Sequence, residues 1–209
     1  MIDFLISEKL VLFLAAKCPI IAPAKTVTHS LYPSTESLKK PLLDRILNHI
    51  ATGRVLIFTR TKHRAKRLAD QLIRSQFRAV ALQGNMSQNK REQALEGFRT
   101  GKFDMLVATD VASRGIDVSE ITHVINFDMP NTVDAYIHRV GRTGRAGSVG
   151  EAFTLVTSDD RAMIKGIQSV LGSTIPQKQL PDFDYGAFNP VIATPDQRHN
   201  NRPIPENNG

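Results

Sequence analysis

The feature that most limits what this chain can fold into is a set of apolar runs only four or five residues long. Val55-Leu56-Ile57-Phe58 and Met105-Leu106-Val107-Ala108 are continuous, with no polar residue at alternate positions. Such runs are short for helices, and lacking alternation they read as strands covered on both faces, as in a parallel sheet. Val124-Ile125-Asn126-Phe127, residues 79–82 and residues 152–156 read as further strands, and the mixed run 27–32 suits a sheet edge.

Helical stripes separate these runs. Pro41 sits in the first turn of a helix whose apolar residues are Leu42, Leu43, Ile46, Leu47 and Ile50, with Gly53 ending it. A helix over 62–76 carries Ala65, Leu68, Ala69, Leu72 and Ile73 on one face. Its other face holds Lys62, Arg64, Lys66, Arg67 and Arg74, which read as a solvated surface. Ser87 caps a helix running to about Arg99, with Ala94, Leu95 and Phe98 facing inward. A further helix begins near Asn131 or Thr132, and Ser158 caps a last one ending at Gly172. Strands alternating with helices predict an α/β fold, an open parallel sheet with helices on both faces.

Residues 26–173 form the predicted domain, with no internal repeat. Residues 1–25 are an atypical N-terminal segment. Its apolar stretch over 4–16 is too short to span a bilayer and lacks the positive start of a secretory signal, so it reads as a helix without a packing partner. Residues 174–209, rich in proline and asparagine, read as a largely disordered tail whose first part Phe183, Tyr185 and Phe188 are placed to pin. A single cysteine, Cys18, excludes an internal disulfide and suits a reducing cytoplasm. The net charge of +7 favours a polyanionic partner over a neutral one.

In an open parallel sheet, ligands bind outside the carboxyl ends of the strands. That rule predicts four segments on one rim: Thr59-Arg60-Thr61, Gln83-Gly84-Asn85, residues 109–117, and His138-Arg139-Val140-Gly141-Arg142-Thr143-Gly144-Arg145-Ala146-Gly147. In the last, Arg139, Arg142 and Arg145 recur at a spacing of three, which on a helical turn points side chains the same way. Guanidinium groups gathered in that way fit a phosphate, which they grip through paired charge-assisted hydrogen bonds. The alternative is a basic helix end that complements the helix dipole.

The nucleotide-holding chemistry that should accompany such arginines is missing. Gly97-Phe98-Arg99-Thr100-Gly101-Lys102 has three residues between its glycines where a phosphate-binding loop has four, and Phe103 stands where a hydroxyl is required. Gly141, Gly144 and Gly147 lack the dinucleotide-binding spacing, and no histidine pair has zinc-binding spacing. The chain therefore reads as half of a composite site.

Four elements resemble one family, the DEAD-box RNA helicases of superfamily 2. Residues 55–61 resemble their motif IV and Gln88-Asn89-Lys90-Arg91 their Q-x-x-R element. Ala108-Thr109-Asp110-Val111-Ala112-Ser113-Arg114-Gly115-Ile116-Asp117 resembles motif V, and His138 to Arg145 resembles motif VI. The resemblance covers roughly residues 20–172, is bacterial in type, and implies the second, C-terminal RecA-like domain. The first domain, with its Walker A loop and Asp-Glu-Ala-Asp stretch, has no counterpart in this sequence, which points to a fragment, a split gene or a misplaced start.

The resemblance implies roles residue by residue. Arg142 and Arg145 would act as arginine fingers on ATP, with His138 bridging to the N-terminal RecA-like domain, and Arg139 would be structural. Gly115 and Asp117 would face the nucleotide, Asp117 accepting from the ribose hydroxyl. Magnesium would be held mainly by the first domain. Thr61, Gly84, Arg91 and Thr109 would contact the RNA backbone, although Thr61 also reads as a helix cap, Arg91 as a surface charge and Asp110 as a local hydrogen-bonder. The implied protein is a cytoplasmic monomer with no membrane partner. It is part of an RNA helicase and ATPase, inactive alone; the alternatives are a non-catalytic RNA-binding or docking fragment and a non-functional remnant.

Overall fold

The computed structural model describes residues 26–50, 53–113, 118, 120–145 and 148–189. Six strands are described: β1 (Val27–Pro33), β2 (Arg54–Phe58), β3 (Ala79–Leu82), β4 (Met105–Ala108), β5 (Ile121–Asn126) and β6 (Gly150–Val156). All pairings are parallel, in the spatial order β1-β6-β5-β2-β4-β3. The continuous apolar runs fall at the centre of that order. Every side chain of β4 is buried, as are Val55, Leu56, Ile57 and Phe58 of β2, because helices cover both faces.

The helices α1 (Lys39–His49) and α2 (Lys62–Arg74) cover one face, seating Leu42, Leu43, Ile46, Leu47, Ala65, Leu68, Ala69 and Leu72 against Val55, Ile57, Val107 and Leu155. On the other face, α3 (Gln88–Arg99) packs Ala94 and Phe98 on Leu56, Phe58 and Leu106, followed by the single turn α4 (Asp110–Ser113). On that same face, α5 (Val133–Val140) and α6 (Arg161–Leu171) pack Tyr136, Ile137, Val140, Ile164 and Ile167 against Leu31, Ala152 and Val156. Each fully buried aliphatic side chain contributes on the order of 1.5–3 kcal/mol by leaving water.

Local signals set the helix starts. Thr61 caps α2 by accepting from the Arg64 N–H, Ser87 caps α3 and Thr132 caps α5. Three expectations need correction. Ile73 is half exposed, because α2 turns it past the edge of the buried stripe. Ser158 does not cap the last helix: Thr157 and Asp160 form a capping box around a 3₁₀ turn at Ser158–Asp160, and α6 follows. β5 begins at Ile121, three residues earlier than its apolar run, where the polar Thr122 and His123 hide it.

The tail differs as well. Residues 176–178 run alongside β1, the Leu31 N–H donating to Pro176 O at 2.9 Å and the Lys178 N–H to Leu31 O at 2.8 Å. Leu180, Phe183 and Tyr185 then pack on the α1 face, and an Arg45 guanidinium donates to Asp182 O at 2.9 Å. An open strand edge offers unpaired backbone groups, and this strap occupies part of it. Phe183 and Tyr185 thus sit where they were expected to pin the tail, whereas the bridge to β1 was not foreseen, because periodicity cannot register it. The calls on residues 1–25, Cys18 included, and on the tail from 190 onward lie outside the described residues. Removing residues 176–209 should expose β1 and produce concentration-dependent self-association, read by light scattering against the full chain.

Candidate functional site

Three loops leave the carboxyl ends of the neighbouring strands β2, β4 and β3, and bring four of the expected residues to one rim. Thr61 sits in the first as the cap of α2, its hydroxyl accepting from Arg64 N at 3.2 Å. Gly84 lies in the second, where Lys62 Nζ donates to Asn85 Oδ1 at 3.1 Å and ties the two loops together. A Cβ built on Gly84 would meet nothing within 4 Å, and its backbone is not left-handed. The fold itself therefore makes no demand for glycine there; a ligand lying against the backbone would. Thr109 closes β4, nearly buried, its carbonyl accepting from Ser113 N at 2.9 Å. Arg91 reaches the same loop from α3, an Nη2 hydrogen donating to Ala112 O at 2.8 Å. Arg91 is thus a brace for α4, whatever else it contacts.

The arginine segment departs from expectation. Arg139 does not point with Arg142 and Arg145. It is 2% exposed, and its Nε and Nη2 donate to the two Asp110 oxygens at 2.6 and 2.8 Å. Its Nη1 donates to Asn126 Oδ1 at 3.1 Å and to Asp128 O at 2.8 Å, and the guanidinium lies 5.0 Å from the centre of the Phe58 ring. Asp110 is accordingly a long-range partner, where a local hydrogen-bonder was expected. The spacing argument fails because α5 ends at Val140: Arg139 is helical, whereas Arg142 and Arg145 lie past the Gly141 C-cap.

Nor does the arginine segment stay on the carboxyl rim: Arg139 reaches Asp110, Asn126 and Asp128 there, and the chain then leaves it. Because α5 runs back against the strand direction, it carries the chain to the opposite end of β5. There the Thr143 hydroxyl donates to Ile121 O at 2.6 Å, with Thr122 O at 3.0 Å. Gly144 adopts φ +68 against β1; a Cβ there would stand 2.6 Å from Val27 Cγ2, so only glycine makes this turn. Thr143 and Gly144 pin the loop from which Arg142 and Arg145 project. His138 and Arg142 line an open cleft of about 390 Å³ with Asp110, Ser113, Thr132 and Asp134. Arg145 Nε donates to Gly141 O at 2.9 Å. Partial burial and then the Arg145 charge press the Arg142 pKa below the usual arginine value. Two guanidinium groups repelling one another beside a cleft are suited to share an anion. Gly115 and Asp117 lie outside the described residues.

Polar groups that the sequence reading passed over hold this frame. Asn126 Nδ2 donates to Thr154 Oγ1 at 3.1 Å, Thr154 is hydrogen-bonded to the Tyr136 hydroxyl, and that hydroxyl lies 2.8 Å from His29 Nδ1. Donation can run in one direction throughout, from Arg139 through Asn126, Thr154 and Tyr136 to a neutral His29. Burial pushes the Tyr136 hydroxyl pKa well up, the Thr154 bond offsetting part of it, and burial lowers that of His29. A second network gathers at Asp128, 3% exposed, which accepts from Arg60 N at 2.9 Å. Arg64 Nε stands 3.0 Å from its carboxylate as an ion pair without hydrogen-bond alignment, and the buried Lys39 ammonium stands at 3.7 Å. Glu36 closes the network by pairing with Lys39 and Arg64; burial alone would raise its pKa, and those two bonds hold it below the usual value. The available signal was Asn126 and Asp128 flanking the end of an apolar strand.

No group of three metal-ligating side chains occurs among the described residues, and no described helix is long and apolar enough to cross a membrane.

The comparisons with known proteins agree with this geometry. Residues 38–147 match the family model described as the helicase conserved C-terminal domain. The Escherichia coli DEAD-box protein SrmB, solved bound to regulator of ribonuclease activity A, is 33% identical with a TM-score of 0.69, over 77% of this chain and 97% of that one. A DEAD-box protein from the hyperthermophile Methanococcus jannaschii is 34% identical with a TM-score of 0.66, over 73% of this chain and 41% of that one. Saccharomyces cerevisiae Dbp5, solved bound to RNA and ADP BeF3, is 27% identical with a TM-score of 0.68, over 74% of this chain and 42% of that one. The chain thus spans about two fifths of the length of the last two.

Two outcomes follow from the networks. Asp110→Ala leaves two donors of the buried Arg139 without their acceptor and should cost about 1–3 kcal/mol, read by urea unfolding, with Asp110→Asn costing less. Since His29 and His123 both have pKa values lowered from 6.5, the unfolded chain takes up protons first as pH falls. Stability should therefore fall as pH drops below 6.5, until the folded-state values are reached. His29→Gln should flatten part of that slope in thermal melts, leaving the His123 share.

Proposed function

Since this chain belongs to the helicase conserved C-terminal domain family and is built like the DEAD-box RNA helicases, we propose that it serves as one half of an ATP-dependent RNA helicase. In this reading it supplies arginine fingers to a nucleotide held by an N-terminal RecA-like domain and part of the grip on RNA. The observation that carries it is the pinned turn at Thr143 and Gly144, which holds two mutually repelling arginines beside an open cleft in a sequence with no phosphate-binding loop of its own.

The residues present fit ATP as a shared ligand. Arg142 and Arg145 would stabilise charge developing on the transferred phosphoryl group, a contribution typically worth about 10³–10⁵ in rate. His138, exposed on the same side of α5, would meet the other domain. Gly115 would let the backbone approach, and Asp117 would accept from the ribose; magnesium would fall to the partner domain. On the rim, the hydroxyls of Thr61 and Thr109, the bare backbone of Gly84 and the Arg91 guanidinium would hold sugar and phosphate without reading bases. Short polar groups also suit 2′-hydroxyl contacts, and hence RNA. The protein would act as a monomer in the cytoplasm.

The test combines this chain with a separately expressed N-terminal helicase domain. The chain alone should turn over no ATP, and RNA-stimulated turnover by it alone would sink the proposal. In the reconstituted pair, Arg145→Ala should lower kcat about 10³-fold or more while RNA affinity holds. Gly84→Val is the complementary probe, because the fold leaves space for its side chain: stability should be unchanged and RNA affinity reduced about tenfold. If Arg145→Ala leaves turnover intact while Gly84→Val still weakens RNA, the chain is a non-catalytic RNA-binding module.

A further inference from the structure

Lys39, Lys40, Arg54, Arg64, Arg78, Arg99 and Arg139 each pair with an acid. One stretch gathers more cations than it has acids to pair with them. From Arg60 to Arg74 the chain carries six lysines and arginines and a single acid, Asp70. Arg64 turns inward to Glu36 and Asp128, whereas Arg60, His63, Lys66 and Arg67 are exposed, and no described residue partners their side chains. On α2, residues 63 and 67 lie one turn apart on one line, with 66 beside them. Arg60, Thr61, His63, Arg64 and Arg67 line an open cleft of about 380 Å³, in which Glu36 and Asp128 are already neutralised by Arg64 and Lys39. The surplus charge of that cleft is positive.

The cleft is continuous with the rim, because Thr61 belongs to both: it is a rim residue and the cap of α2. Charge this concentrated without a pairing acid is repulsive by itself, and a polyanion lying along it would relieve that repulsion. An acidic protein partner is the less favoured occupant. Protein interfaces depend on buried aromatic or aliphatic anchors, and the exposed face here offers only Ile73, at the far end of the helix.

We propose that the outward face of the first two turns of α2, with Arg60, Lys66 and Arg67, is a second phosphate-binding surface that carries the RNA strand onward from the rim. It rests on the reading of the rim as an RNA grip and extends its footprint. The rim and this face make different demands on length. A short oligonucleotide occupies the rim alone, whereas a longer one also reaches α2.

The test measures binding of the 209-residue chain to single-stranded RNA of about 6 and about 18 nucleotides across a salt series. The double variant Lys66→Gln/Arg67→Gln changes only exposed side chains. It should bind the short RNA like the parent, lose about tenfold in affinity for the long one, and make the long RNA's log–log salt slope shallower by about 1.4, the value for two phosphate contacts on a single strand. Arg74→Gln, at the other end of the same helix, should change neither. Gly84→Val should weaken both lengths alike, which separates failure of the rim from failure of this surface. If the chain binds long and short RNA equally and the double variant changes neither, the proposal is overturned and the basic face is left to solvent or an acidic protein. If neither RNA binds at all, the rim reading falls with it.

Discussion

The frame of this domain depends on one buried cation. Arg139 is withdrawn almost completely from water, and an unpaired guanidinium in that position would be strongly destabilising. The fold answers it from three directions at once, with the Asp110 carboxylate, the Asn126 amide oxygen and the Asp128 carbonyl. Those partners belong to the loop after β4, the last residue of β5 and the loop after β5. A single side chain on α5 thereby fixes how far a helix and two strand ends stand from one another. A lysine could not replace it, because a point charge lacks the planar fork that engages both Asp110 oxygens.

Asp128 extends that frame. Its carbonyl belongs to the Arg139 cluster, while its carboxylate takes the Arg60 N–H and faces Arg64 and Lys39. The rim loop carrying Thr61 and the helix leading to Arg142 are therefore built from one rigid node. Such a node keeps the rim and the flank in fixed register. A buried pair of networks adds little net stability compared with apolar packing, but it admits one arrangement of the loops where an apolar core would tolerate several.

How much of this was legible in the sequence follows from the physics of each signal. Burial on both faces leaves a continuous apolar run, so β4 was readable to the residue and β2 to within one, and Thr61 and Ser87 marked their helix starts by capping. β5 was read short because its first residues bear Thr122 and His123 at the less covered end. Arg139 was grouped with Arg142 and Arg145 because spacing says which residues share a face only while a helix continues, and this one stops between them. The Arg139–Asp110 pair is 29 residues apart, and no local rule reports a contact of that kind. The strap on β1 was hidden for the same reason, a pairing made by position in space and not by periodicity.

The rim and the flank are held by opposite means. At the rim, the Thr61 hydroxyl accepts from Arg64 N and Arg91 donates to Ala112 O, so a ligand reaching them would exchange one set of hydrogen bonds for another. On the flank, partial burial first and then the neighbouring Arg145 charge hold the Arg142 pKa below its ordinary value. The Thr143 hydroxyl and the close seat of Gly144 against Val27 keep the loop of these two arginines from opening to relieve the repulsion between them. An anion placed between the two arginines removes the repulsion as well as adding its own attraction. Because the restraint is already present before the anion arrives, little reorganisation is needed when it does. In the proposed reading, such preorganisation suits groups that act on charge appearing only briefly, during phosphoryl transfer.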